Sequence, residues 1–141
     1  MSGKKWPNDI KNLLISSCCV KLAAPNLPDY CLLLYPDLRS LEGILKLKMA
    51  EHSLSVQDAE NSFGDFFDVA SGKCTLKLEH QEKVSRKMAE SLNNGYTFYR
   101  KHRHAIFHME EFSGGSRMIN TLDSAIGLSK DAYSVIDALI Q

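Results

Sequence analysis

"LYPDLRSLEGILKLKM", residues Leu34 to Met49, is the stretch that decides the fold. Leu34, Leu38, Leu41, Leu45 and Met49 recur at steps of three and four, which lays one apolar stripe along a helix. The pattern runs on to about His52. Pro36 falls inside it, and a proline ring clashes with a helix interior but suits a first turn. A kink or a fresh helix start is therefore expected there. Gly43 is costly within a helix, by about 1 kcal/mol against alanine. Close approach of another helix would justify it, as would a loose helix.

Working outward from this core helix, the pattern stays mostly helical. Pro7-Asn8-Asp9 opens an amphipathic stretch with apolar residues at Ile10, Leu13, Leu14, Cys18 and Leu22. "APNLPD", Ala24 to Asp29, is a turn. Ser55 to Phe67 reads as one short helix capped by Ser55, and Ser71-Gly72-Lys73 as a loop. A long helix is expected from about Thr75 to Leu92, punctuated by Asn93-Asn94-Gly95. Another follows from Tyr96 to Met109. "EEFSGGSR", Glu110 to Arg117, reads as a flexible loop. A last helix runs from Thr121 to the end, with Gly127 as a possible break. Only Cys74 to Leu78 and Arg117 to Ile119 suit short strands. The expectation is one all-α domain over residues 1–141, a bundle of about five or six helices with at most one or two very short strands.

Composition narrows the function. The chain has 141 residues, room for one domain with a proper core. Apolar residues make up 44%, a globular value. Lys plus Arg equals Asp plus Glu, 17 each, so no global field draws in nucleic acid. Any polyanion must be gripped by a local cluster. The four cysteines, Cys18, Cys19, Cys31 and Cys74, show no metal-ligand spacing. Cys18 and Cys19, in an apolar run, read as buried small hydrophobes. A reduced, cytoplasmic protein without structural zinc is expected. The N-terminus has charge but no apolar segment of the signal-peptide kind. The longest apolar run, Cys31 to Tyr35, is too short to span a membrane. No Walker loop, G-x-S-x-G, H-E-x-x-H or Rossmann glycine pattern occurs.

One local cluster does stand out. "HRHAIFH", His102 to His108, packs three of the five histidines and an arginine into seven positions. On a wheel of the Tyr96–Met109 helix, Phe98, Ala105, Ile106 and Met109 face the core. Arg100, His104 and His108 form a ladder at four-residue steps, with Arg103 beside it. A strict helix sets Arg103 and His108 well over a right angle apart. To meet one substrate they need an interrupted helix or a second copy across an interface. Histidine exchanges protons near neutral pH, and arginine offers a planar fork that fits phosphate. RNA brings its own nucleophile, the 2′-hydroxyl, so these groups suffice for strand cleavage without a metal or other cofactor. Arg100, Lys101 and His102 would supply further phosphate contacts. The plainer reading is a solvated basic face on a helical module that binds RNA or a protein without catalysis. Tyr96 and Tyr99 suit base stacking, though packing explains them equally simply.

Arg103-His104-Ala105-Ile106-Phe107-His108 resembles the R-x(4–6)-H signature of HEPN ribonucleases. About sixty residues upstream, Leu38-Arg39-Ser40-Leu41-Glu42-Gly43 completes a resemblance to the C-terminal catalytic domain of ribonuclease LS (RnlA/LsoA-type) toxins. It covers most of the chain. The larger toxins carry additional N-terminal domains, and none is expected within these 141 residues. The resemblance implies a HEPN-like helical bundle and a metal-independent endoribonuclease toxin. It implies that Arg103 binds and polarises the scissile phosphate and that His108 transfers the proton. Glu42 matches the family's third functional residue, orienting the histidine or arginine or acting as base. His104 fills the motif's polar position. Without the family, Glu42 reads equally as part of an ion-pair stripe with Arg39 and Lys46. The resemblance further implies a homodimer with two motifs facing one cleft, and a cognate protein antitoxin. In some HEPN proteins a tyrosine two places beyond the motif histidine is nucleotidylated. Here that place is Glu110, so such modification is not expected.

Overall fold

The computed structural model describes residues 8–23, 26–27, 29–54, 62–107 and 119–141, with the side chains of residues 104–107 outside that description. In chain order the elements are α1 (Asn8–Leu22), a 3-10 turn (Cys31–Leu34), α2 (Tyr35–Glu51) and α3 (Phe63–Phe66). They continue with β1 (Phe67–Ala70), β2 (Lys73–Leu76), α4 (Leu78–Gln81), α5 (Arg86–Phe107) and α6 (Leu122–Ile140). The fold is mostly helical, as the periodicity predicts.

α2 is the centre of the bundle. Leu34, Leu38, Leu41, Leu45 and Met49 are all buried, so the stripe is the core seam. α1, α5 and α6 pack around it. Pro36 sits in the first turn, after the 3-10 turn has ended at Leu34, and so marks a fresh start. Gly43 is explained as well: a Cβ there would lie 3.3 Å from Ile10 Cδ1, so the missing side chain lets α1 approach.

α1 departs from its expected face. Ile10, Ser17 and Lys21 are buried, whereas Cys18, Cys19 and Leu22 are exposed, Leu22 at 90%. The reason is polar. Asp37 on α2 is wholly buried and accepts hydrogen bonds from Ser17 Oγ (2.5 Å), Lys21 Nζ (2.6 Å) and Ser129 Oγ of α6 (2.5 Å). Lys21 Nζ also donates to Ser17 Oγ. A buried carboxylate without partners costs several kcal/mol. Satisfying it rotates α1 so that Ser17 and Lys21 face inward and the cysteines outward.

The region between α2 and α5 is not one helix followed by a loop. The expected helical cap at Ser55 lies outside the described residues. Phe63–Phe66 makes a single turn opened by Ser62, whose N–H donates to the Asp65 carboxylate at 2.5 Å. An antiparallel hairpin follows, pairing Phe67 with Leu76 through Ala70 with Lys73. Its two-residue turn, Ser71-Gly72, has positive φ at both positions (49° and 77°), which matches the twist of the strands. β2 corresponds to the strand expected near Cys74–Leu78; of β1, only Phe67 falls within the expected Ser55–Phe67 helix, and the strand takes it instead. Of the other expected strand only Ile119 is described; its carbonyl accepts from the Tyr30 N–H at 2.9 Å.

α5 is continuous from Arg86 to Phe107, straight through Asn93-Asn94-Gly95. The expected stop is corrected for a packing reason. A Cβ at Gly95 would lie 3.0 Å from Leu45 Cδ2 and 3.1 Å from Leu139 Cδ1, so the glycine admits α2 and α6 to the helix surface. Asn93 and Thr97 flank it and serve the hairpin. Asn93 Oδ1 accepts from the Leu76 N–H (2.7 Å), and Thr97 Oγ1 from the Cys74 N–H (2.9 Å). These side chains satisfy the free edge of β2 and lock it on α5. α6 is capped by Thr121, whose hydroxyl accepts from the Ser124 N–H, and it runs unbroken through Gly127. Among the described residues, no helix is long and apolar enough to cross a membrane.

Candidate functional site

The lateral face of α2, beside its core stripe, carries Tyr35, Arg39 and Glu42 at steps of four and three. α5 runs alongside and presents Tyr99 and Arg103, one turn apart. With Leu38 at its floor, these side chains enclose a cleft of about 320 Å³. Thus the structure unites Glu42 and Arg103 from helices about sixty residues apart in sequence.

Tyr99 is the hinge of this arrangement. Its phenol is close enough to the Glu42 carboxylate to be shifted by it, and the Arg103 guanidinium lies 5.9 Å from the centre of its ring. Burial and the Glu42 charge push the phenol up to about 12, against the opposing pull of Arg103. The group therefore stays a neutral donor across the physiological range. Glu42 also accepts a salt bridge from Lys46 Nζ at 2.9 Å. Its carboxylate is flanked by both groups and lines the cleft. With Arg39 and Arg103 against Glu42, the cleft walls carry two fixed cations and one anion. That is a geometry for an anionic ligand with a proton acceptor beside it.

The other expected site residues fall elsewhere. Arg100 is exposed on the same side of α5 and borders a second depression next to the cleft. Lys101 is exposed and lines neither hollow. His102 is 5% exposed, with its ring 4.2 Å from that of Phe98, so it packs inward away from the Glu42 cleft. His104 stands on the last turns of α5, where only the backbone is described. His108 lies outside the described residues. Arg39 was missed as a functional residue. It reads, together with Lys46, as an ion-pair partner of Glu42, and the salt bridge that forms is the one to Lys46. The available signal was its spacing: three residues before Glu42 is the same helix face. Among the described residues no group of three His, Cys, Asp or Glu side chains could hold a metal ion.

Fold and cleft together define a mostly helical domain with a charged cleft between α2 and α5. The chain belongs to the family described as "RNase LS, bacterial toxin DBD domain", which matches residues 2–110. It is 40% identical over 129 residues to the mRNA endoribonuclease toxin LS of Escherichia coli strain K12, covering 92% of this chain and 36% of that protein. It is 28% identical over 120 residues to the mRNA endoribonuclease LsoA of Escherichia coli O157:H7, covering 85% and 34% respectively. The chain thus spans about a third of the length of these curated relatives. A crystal structure of E. coli toxin LsoA in complex with T4 phage antitoxin Dmd superposes with a TM-score of 0.80 at 24% identity. That match covers 97% of this chain and 53% of the LsoA chain, and shows the shared fold.

Proposed function

We propose that this chain is the RNA-cleaving domain of a ribonuclease LS-type toxin, with residues 1–141 forming one HEPN-like unit. The observation that carries the reading is the convergence of Glu42, Arg39 and Arg103 on one cleft. It is supported by a 40% identical relative named as an mRNA endoribonuclease toxin.

In this reading a phosphodiester enters the cleft with its anionic oxygens toward Arg103 and Arg39. The guanidinium forks neutralise the charge that grows as the 2′-hydroxyl attacks phosphorus. Glu42 orients Arg103 or the histidine, or accepts the 2′-hydroxyl proton. His108 transfers a proton to or from the reacting oxygens, with His104 supporting it. Tyr99 holds Glu42 and the Arg103 side chain in register. The P–O5′ bond breaks as the P–O2′ bond forms, leaving a 2′,3′-cyclic phosphate and a 5′-hydroxyl. The scheme calls on no metal. Two subunits would each contribute an R-x4-H motif to a shared cleft. The shared charge of two such motifs requires RNA or Glu42 to offset it. Arg100 and Lys101 extend the phosphate track. The partners are RNA, a second copy and a protein antitoxin, as a phage antitoxin accompanies LsoA in its crystal structure. The cytoplasm is the compartment where those partners meet.

The test is cleavage of RNA and of DNA of the same sequence with chelator present, for wild type and His108→Ala. RNA alone should be cut, and the variant should lose activity. Full activity in His108→Ala contradicts its role. Salt-sensitive RNA binding without products points instead to a non-catalytic binding module.

A further inference from the structure

Tyr99 and Arg103 form the wall between two hollows. On the far side from Glu42 lies a second one, about 340 Å³, lined also by Ser62, Phe63, Gly64, Tyr96 and Arg100. Its chemistry differs from that of the first. Three aromatic rings meet there: Phe63 lies 5.1 Å from Tyr96 and 5.8 Å from Tyr99, centre to centre. The two tyrosines are buried as a floor, and Phe63 is half-buried at the lip. Arg100 and Arg103, one turn of α5 apart in register, stand exposed at the rim. Burial raises the Tyr96 phenol above its ordinary 10.0, and both guanidiniums are close enough to pull against that rise. Ser62 and Gly64 are exposed on the opposite bank and leave that side open.

We propose that this second hollow is a nucleobase subsite, seating the base of the nucleotide next to the phosphate held in the Glu42 cleft. The inference rests on the RNA-cleaving reading and adds to it where substrate selection occurs. Aromatic surface takes up the π-face of any base, and exposed guanidiniums stack on bases or bind the neighbouring phosphate. A volume near 340 Å³ is at the lower end for small-molecule pockets, roughly 300–1,000 Å³, and suits one base. Sharing Arg103 ties the two hollows into one path: a phosphate on one side of it, a base on the other. Single-stranded RNA, whose bases can be splayed out, is the substrate class that fits such an arrangement.

The test is direct binding to the full chain, comparing inorganic phosphate with the four nucleoside 3′-monophosphates. At least one nucleotide should bind roughly tenfold tighter than phosphate, from stacking alone. It should also shift the ring resonances of Phe63 and Tyr96. A side chain at Gly64 tests the location. A Cβ there meets only Ser62 Oγ, at 3.4 Å, so the backbone has room for a side chain, and Gly64→Leu narrows the hollow. That variant should lose the nucleotide advantage while binding phosphate as before. Nucleotides that bind no tighter than phosphate to the wild type overturn the proposal, with no variant needed. So does an unchanged advantage in a folded Gly64→Leu protein. RNA cleavage with no nucleotide advantage defeats the subsite alone. A nucleotide advantage lost in Gly64→Leu, in a chain that cuts no RNA, supports the subsite and defeats the nuclease reading.

Discussion

The Arg103 guanidinium lies 5.9 Å from the centre of the Tyr99 ring, while the Glu42 carboxylate acts on the same phenol and raises it. One neutral phenol thus lies beside both the cation and the carboxylate on which the proposed chemistry depends. Cation–π attraction to Arg103 and a carboxylate beside the hydroxyl each favour this placement by roughly 0.5–3 kcal/mol.

Removing that hydroxyl has a signature at high pH. The Tyr99 phenol is raised to about 12 in the folded chain, from an ordinary value of 10.0. A raised value means its contribution to stability is fully present below about pH 10 and lost as pH climbs toward 12. Tyr99→Phe should therefore lose stability less steeply over that range than wild type. Phenolate absorbance should show one late-titrating tyrosine gone. At neutral pH the same variant should cut RNA more slowly, because Glu42 loses the hydroxyl beside it while the ring under Arg103 stays.

The buried network around Asp37 should behave non-additively. Lys21→Met leaves a wholly buried carboxylate without its cation, and Asp37→Leu leaves a buried ammonium. Either change alone should cost about 3–5 kcal/mol in urea unfolding. The double variant should cost much less than the sum, since no uncompensated charge remains.

Gly95 gives a test of the helix packing. In an exposed helix a residue with a side chain would stabilise over glycine by several tenths of a kcal/mol. Here Leu45 and Leu139, both fully buried, crowd the Cβ position at 3.0 and 3.1 Å. Gly95→Val should destabilise by about 2 kcal/mol or more. A gain in thermal stability would contradict the close approach of α2 and α6.

These cases show what the sequence could and could not convey. The stripe from Leu34 to Met49 is legible because a period of three and four has one simple solution, a core helix. Pro36 is legible for a local reason, its fit to a first turn, whereas Gly43 leaves close packing and a loose helix open until α1 is seen against it. α1 misleads because its apolar count favours Cys18 and Leu22 inward, whereas Asp37, on another helix, demands Ser17 and Lys21. Asn93-Asn94-Gly95 misleads because turn chemistry and tertiary packing use the same residues. Asparagine there serves a strand edge, and glycine serves two neighbouring helices. At the candidate site, Glu42 and Arg103 were paired by the family resemblance, and they do share a cleft. Arg39 and Tyr99 escaped because their part in it depends on how two helices lie side by side. His102 shows the converse, a basic residue in a basic run that packs inward against Phe98.

At low pH the weak point should be the tie between the two chain segments near Asp29. Its carboxylate accepts the N–H groups of Cys31 (2.9 Å) and Ile119 (3.0 Å). Burial pulls its carboxyl upward, but those donors outweigh it and hold the group below its ordinary 3.8. A lowered carboxyl contributes stability above that ordinary value, and the contribution is lost as pH falls. Asp29→Asn should therefore flatten the acid side of the stability curve in urea titrations between neutral and low pH.

The most direct test of the central claim is the single-turnover cleavage rate of single-stranded RNA, with chelator present, by wild type, Arg103→Ala and Arg103→Lys. A guanidinium that grips the reacting phosphate with two parallel donors predicts a loss of 100-fold or more in the alanine variant, on the order of an oxyanion donor. It also predicts poor rescue by lysine, which lacks the planar fork. Wild-type products should end in 2′,3′-cyclic phosphate and 5′-hydroxyl. Undiminished cleavage by a folded Arg103→Ala protein would contradict the account.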